Sequence, residues 1–255
     1  MSAPRVLVLR AAGINCDDET VFAWRQAGAA ADKLHVKRLI ESPRQLDHYQ
    51  VLTIPGGFSY GDDIAAGKVL ANLLLNRLGD DIDRFVERGG AVLGICNGFQ
   101  VLVRMGLLPG RTCPARVTIT HNDSGRYEDR WVRIKASSSR CAFLDPEAEF
   151  EVPVAHGQGK VMVDGGVDGV RRLSADGLIA LSYQVRGGGA PTFPENPNGS
   201  IGNVAGLTDM TGRVLGLMPH PERNIFPSHS PDRPRDTSTE TAGARFFRRA
   251  VERLS

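Results

Sequence analysis

The stretch Ala91-Val92-Leu93-Gly94-Ile95-Cys96-Asn97-Gly98-Phe99-Gln100 constrains this chain more than any other. An apolar run of strand character enters a Gly-X-Cys-X-Gly turn and leaves it as a helix. Glycines two positions before and after the cysteine let the backbone reverse sharply and project one side chain from the apex, the geometry of a nucleophile elbow. A thiol at the apex faces the N-terminal end of the next helix, whose dipole favours the reactive thiolate. A buried cysteine is ordinarily a small hydrophobe, but that role has no need of the flanking glycines.

The segments leading to the elbow alternate between strand and helix patterns. Arg5 to Arg10 reads as a short strand, and Asp17 to Gln26 as a helix whose acidic first turn suits the positive end of the dipole. Lys33 to Ile40 reads as a second strand and Val51 to Ile54 as a buried one. Helices from about Ile64 to Arg77 and from Asp80 to Arg88 precede the elbow strand. Such alternation implies right-handed βαβ units, hence an α/β fold with a mostly parallel, doubly wound sheet and helices on both faces. Ligands bind such sheets at the strands' carboxyl ends.

From Cys113 to Tyr183 the pattern changes to alternating strands such as Arg130-Trp131-Val132-Arg133-Ile134-Lys135, so an added antiparallel region is expected at the edge. Gly187 to Ser200 is a loop, and Phe226 to Pro234 is Pro-rich and extended. Thr237-Ser238-Thr239-Glu240 reads as a capping box opening a terminal helix. That helix carries Ala244, Phe247, Val251 and Leu254 on one face and Arg245, Arg248, Arg249 and Arg253 on a solvated one. All 255 residues fit a single domain, with segment 226–255 packed on it.

A net charge of +2 argues against nucleic-acid binding by bulk electrostatics. The four cysteines, Cys16, Cys96, Cys113 and Cys141, show neither CxxC pairing nor metal-ligand spacing. A chain of this length does not need disulfides, so a reducing, cytoplasmic setting is expected. The strand beginning at Arg5 leaves no room for a signal peptide, and no apolar run approaches a membrane span.

A nucleophile needs a base, and Leu217-Met218-Pro219-His220-Pro221-Glu222-Arg223 offers one. Pro221 pushes His220 toward an extended conformation, in which residues two apart share a face, so Glu222 should lie against one imidazole nitrogen. Cys96, His220 and Glu222 thus match a thiol triad in which the carboxylate orients the imidazole and the imidazole takes the thiol proton. Val51-Leu52-Thr53-Ile54-Pro55-Gly56-Gly57-Phe58 ends a buried strand in glycines that leave backbone amides free to face a ligand. The two amides expected to hold an oxyanion are those of Gly57 and Asn97.

Pro55-Gly56-Gly57, Gly94-Ile95-Cys96-Asn97-Gly98-Phe99-Gln100 and Pro219-His220-Pro221-Glu222 resemble the three signatures of class I, triad-type glutamine amidotransferases. Gly13-Ile14-Asn15-Cys16-Asp17, Phe58-Ser59-Tyr60-Gly61-Asp62, His121-Asn122-Asp123-Ser124-Gly125-Arg126, Pro153-Val154-Ala155-His156-Gly157 and Asn196-Pro197-Asn198-Gly199-Ser200 narrow the resemblance to the glutaminase subunits of phosphoribosylformylglycinamidine synthase. It spans Arg5 to Arg223. The resemblance implies hydrolysis of L-glutamine to glutamate and ammonia, with the ammonia passed to a PurL-type synthetase subunit that makes formylglycinamidine ribonucleotide in purine biosynthesis. A small PurS-type accessory subunit is implied as well.

Gln100, one helical turn beyond Cys96, is implied to help hold bound glutamine. Asn15 and Asp17 follow the first strand, and either cap the next helix or contact the substrate. His121 and His156 either face the synthetase or satisfy strand ends. No metal or organic cofactor is expected in this chain; lacking a P-loop, it should leave ATP and magnesium to the synthetase. Two rivals remain. One is a stand-alone enzyme with the same elbow, such as a γ-glutamyl hydrolase or a glutaminase of another pathway; the other is a catalytically silent binding module on this fold.

Overall fold

The computed structural model describes residues 3–231 and 240–254. In chain order its first half runs β1 (Arg5–Arg10), α1 (Asp17–Gln26), β2 (Ala30–His35), α2 (Val36–Glu41), β3 (Val51–Ile54), α3 (Lys68–Glu87), β4 (Ala91–Ile95) and α4 (Asn97–Arg104). The second half runs β5 (Val117–Thr120), β6 (Glu128–Ala136), β7 (Glu149–His156), β8 (Lys160–Val163), α5 (Gly166–Ala175), β9 (Ile179–Gln184), β10 (Val204–Thr208), β11 (Val214–Leu217) and α6 (Ala242–Leu254).

Nine strands form one sheet in the order β2-β1-β3-β4-β11-β10-β9-β6-β7, and β5 and β8 form a separate antiparallel pair. The run from β2 to β11 is parallel; beyond β11 every pairing is antiparallel. β3 and β4 are buried along their whole length, as expected of central parallel strands covered on both faces. α1 packs with α6 and α3 with α4 as two helix pairs. The first pair is tied by the Trp24 and Phe247 rings, edge to face at 5.1 Å, while Trp24 Nε1 donates to Thr53 Oγ1 on β3. Among the described residues no helix is long and apolar enough to cross a membrane.

Several boundaries differ from the sequence reading. The second strand is Ala30–His35 rather than Lys33 to Ile40, because it pairs along one edge only and carries little apolar signal. The chain then turns into α2, whose first amides are capped by His35 Nδ1 accepting from Lys37 N at 3.2 Å. The two helices expected over 64–77 and 80–88 are one, Lys68–Glu87. Its buried stripe Leu70, Leu74, Leu78, Ile82 and Phe85 passes Gly79 without a change of phase, and residues 64–67 lie outside it. α5 has no counterpart in the sequence reading. Pro227–His229 is a 3₁₀ turn, not extended chain, and 232–234 lie outside the described residues.

Thr237, Ser238 and Thr239 also lie outside the described residues. The cap seen on α6 is Thr241, whose Oγ1 accepts from Ala244 N at 3.2 Å. The buried face of α6 centres on Gly243, Phe246, Phe247 and Ala250, with Val251 and Leu254 at its margin. Its four arginines all pair with acids: Arg245 and Arg248 with Glu240, Arg249 and Arg253 with Asp145.

Candidate active site

The chain order 2-1-3-4 reverses between β1 and β3, so a crevice opens at the carboxyl ends of the parallel strands. β1, β3, β4 and β11 each run out into it. They deliver, respectively, Asn15 and Cys16, Gly56 and Gly57, Cys96, and His220.

Cys96 adopts φ +50°, ψ −101° at the head of α4, a left-handed conformation that costs a non-glycine residue energy and fixes the elbow. The flanking glycines are sterically required. A Cβ on Gly98 would lie 1.9 Å from the Ile54 carbonyl oxygen, and one on Gly94 would lie 2.6 Å from Leu102 Cδ1. The thiol is almost fully buried, and Sγ sits 3.6 Å from the Ala155 carbonyl oxygen.

His220 is 1% exposed and Glu222 2%, and the two are joined by a 2.6 Å bond between Nδ1 and Glu222 Oε1. The connection differs from the expected extended chain. His220 itself is non-helical (φ −110°, ψ 80°), but Pro221–Arg223 forms one 3₁₀ turn that folds the carboxylate back onto the ring. The other ring nitrogen, Nε2, and Glu222 Oε2 are buried with no hydrogen-bond partner among the described residues. Burial pushes the His220 imidazole toward neutrality, yet the charge of Glu222, followed by the influence of Cys96, outweighs it and holds the ring well above the usual histidine range. Gly56 is shaped by the same ring, since a Cβ there would lie 2.7 Å from His220 Cε1.

A cavity of about 160 Å³ opens over Cys96, lined by Gly57, Gln100, Asp62, Tyr127 and His156 among others. Gly57 and Gln100 therefore line the same cavity as Cys96. Asn97 stands at the first position of α4 and links the wall: its Nδ2 donates to Gln100 Oε1 at 2.8 Å and to Asp62 Oδ1 at 3.3 Å. Gln100 Nε2 in turn donates to the Gln158 carbonyl at 2.5 Å. Asn15 is not among the lining residues. It lies beside the Ile14–Gly57 bridge, where its Oδ1 accepts from Cys16 Sγ at 3.4 Å. Asp17 is buried, with Lys33 Nζ 3.3 Å from its carboxylate, and neither it nor Asn15 caps α1 through its side chain.

The antiparallel half of the sheet supplies the opposite wall. Ala155 and His156 end β7, and the Pro153 carbonyl accepts from His220 N at 2.8 Å. His121 also lines the cavity, exposed, whereas His156 is buried. Tyr127 stands half-exposed beside Phe58, ring centroids 6.3 Å apart, at the mouth.

Sequence reasoning gave no role to Cys16, Arg223, Asp62, Tyr127, Ala155 or Gln158. Cys16, Arg223, Asp62 and Ala155 were visible only as members of the quoted motifs. Arg223 Nη2 lies 3.0 Å from Cys16 Sγ, and Cys16, His220 and Glu222 offer ligand atoms within 4.8 Å of one another. A thiophilic cation could use that trio only by displacing the Arg223 guanidinium from the sulfur.

Comparison with known proteins gives the arrangement a family. The model of the CobB/CobQ-like glutamine amidotransferase domain matches residues 3–253. The phosphoribosylformylglycinamidine synthase subunit PurQ of Dehalococcoides mccartyi is 40% identical over 255 residues, 99% of this chain and 98% of that protein. The PurQ subunit of Methanococcus maripaludis is 41% identical over 234 residues, 90% of this chain and 85% of its own. Among solved structures, a chain in the structure of PurLQS from Thermotoga maritima superposes with a TM-score of 0.73 at 28% identity, covering 99% of this chain and 100% of that one. A glutamine amidotransferase from the same organism, 15% identical with a TM-score of 0.60, shares the fold, covering 100% of this chain and 99% of its own. The chain belongs to the CobB/CobQ-like glutamine amidotransferase family and, within it, groups with the PurQ subunits of phosphoribosylformylglycinamidine synthase.

Proposed function

We propose that this chain is the glutaminase subunit of a phosphoribosylformylglycinamidine synthase and acts as a single amidotransferase domain. Cys96 Sγ attacks the side-chain amide carbon of L-glutamine, and the resulting oxyanion is held by the Gly57 and Asn97 amides. His220, oriented through Nδ1 by Glu222, uses the free Nε2 to take the thiol proton and pass it to the departing ammonia. The γ-glutamyl thioester left on Cys96 is attacked by water, whose proton goes to His220; glutamate leaves and the thiol is restored. The ammonia passes to a PurL-type synthetase, which uses it with ATP and magnesium to convert formylglycinamide ribonucleotide to formylglycinamidine ribonucleotide. A PurS-type subunit completes the complex, which works in the cytoplasm.

The observation that carries this reading is the left-handed Cys96 at the floor of an amino-acid-sized cavity, backed by the 2.6 Å His220–Glu222 pair. The assignment to purine synthesis leans on the near full-length likeness to PurQ proteins. In the reconstituted complex, Cys96→Ala is expected to lower glutamine-dependent synthesis at least 10³-fold while ammonia-dependent synthesis stays near wild type. Loss of both in an assembled complex would contradict the division of labour. Full glutaminase turnover by the wild-type chain without a partner would favour a stand-alone hydrolase.

A further inference from the structure

The cavity over Cys96 has one carboxylate among its described lining residues, Asp62, and neither lysine nor arginine. The backbone that brings it there is strained. Tyr60, Gly61 and Asp62 lie at φ +54°, +73° and +53°, two of them non-glycine residues in the left-handed region. Such conformations persist where surrounding contacts enforce them, and they concentrate where a side chain must be aimed. Here Asp62 Oδ1 accepts from Gly67 N at 3.2 Å and from Asn97 Nδ2 at 3.3 Å. Both donors are neutral. The Arg104 guanidinium is turned away, its Nε donating to the Ala66 carbonyl at 2.8 Å.

Burial therefore holds the Asp62 carboxyl above the usual aspartate range, against the smaller pulls of Gly67, Asn97 and Arg104. A carboxylate in a cavity with neutral donors and no paired cation is poised for an ammonium ligand. Its position relative to the nucleophile is fixed by Asn97, which follows Cys96 directly and bridges Asp62 and Gln100 through one amide nitrogen.

We propose that Asp62 binds the α-ammonium group of the substrate and so restricts the site to free α-amino acid amides, rejecting N-acylated and peptide-linked ones. The proposal rests on the glutaminase reading of Cys96. An amide carbon held at Sγ places the ammonium three carbons away along a flexible chain. The cost of binding glutamine's charged amine in a small cavity is then offset by a charge-assisted hydrogen bond.

The test compares L-glutamine with glutaramate, the same amide without the amino group, on the reconstituted complex. Asp62→Asn keeps shape and hydrogen bonds to neutral donors while removing the charge. Relative to wild type it is expected to lower the glutamine-to-glutaramate ratio of kcat/KM roughly 10- to 100-fold, mainly through KM for glutamine. Asp62→Glu, which restores the charge, should recover part of that ratio. Where glutaramate turns over too slowly, product inhibition by glutamate against glutarate reads the same discrimination. An unchanged ratio in Asp62→Asn, with a melting temperature close to wild type, would overturn the assignment and leave Asp62 as a turn residue. If the wild-type complex turns over neither amide and forms no thioester on Cys96, the glutaminase reading itself fails, an outcome distinct from an unchanged ratio.

Discussion

Glu222 has no solvent to share its charge with, and its partner does not either: the His220 and Glu222 side chains are 2% and 0% exposed. Removing one member of such a pair leaves the other uncompensated, so the two deletions are unequal in kind. His220→Ala removes the ring that Glu222 holds, and should bring glutaminase activity near that of Cys96→Ala. Glu222→Gln keeps an oxygen for Nδ1 but loses the charge, and should retain roughly 10²-fold more activity than His220→Ala. Because Glu222 is the main influence lifting the His220 imidazole against burial, Glu222→Gln should also lower the pH at which the ring deprotonates. The acid limb of kcat/KM, set by the neutral imidazole that takes the thiol proton, then moves to lower pH. Rapid-quench measurement of thioester formation across pH checks both statements, and wild-type acylation in His220→Ala would remove His220 from its proposed role.

The elbow works as an element because the first turn of α4 lies directly against the end of β3. Gly98→Ala would press a methyl into the Ile54 carbonyl at 1.9 Å and should cost about 3 kcal/mol or more. Gly79→Ala makes the contrast: within α3 its Cβ meets only Leu75 Cδ1 at 3.6 Å, so it should be neutral or stabilise by up to about 1 kcal/mol. Urea unfolding of both variants tests this, and matching midpoints would defeat the packing account. The same local density explains what the sequence discloses. β1, β3 and α1 were legible to the residue, because inner parallel strands write their burial into consecutive positions and α1 opens on three acidic residues. β2 was displaced because an edge strand need not be apolar, and α3 was split because glycine and two aspartates read as a break although nothing crowds them. The elbow at Cys96 and the pairing of His220 with Glu222 were readable from local motifs, because each is written into a few consecutive residues. Asp62, Cys16 and Tyr127 reach the site through tertiary folding, and the alternating strands gave no sign that they extend the parallel sheet rather than form a separate edge.

At the scale of the molecule, a buried polar network joins the antiparallel half to the catalytic cavity. His156 Nδ1 meets Asn122 Oδ1 at 3.2 Å, its Nε2 meets Asn198 Nδ2 at 3.4 Å, and Asn198 Nδ2 also donates to Tyr183 on β9 at 3.0 Å. One histidine thus ties the end of β7 to two loops and, through Asn198, to β9. Burial, assisted by the charge of nearby His220, pushes the His156 imidazole down from 6.5 to about 4. The folded protein therefore refuses a proton that the unfolded chain accepts. The unfolded state binds more protons between pH 6.5 and 4, so stability is intact above that window and falls as pH drops through it. Between pH 7 and 5 the loss from this one group should be about 2 kcal/mol. His220 acts in the opposite sense, since its raised value makes its contribution largest at low pH. Total acid sensitivity therefore understates His156, and the informative quantity is a difference of slopes. His156→Gln should lower stability at pH 7 by disturbing the network, yet lose less between pH 7 and 5 than wild type does. Urea unfolding of both proteins at the two pH values gives the comparison, and parallel losses would mean that His156 is not held neutral by the fold.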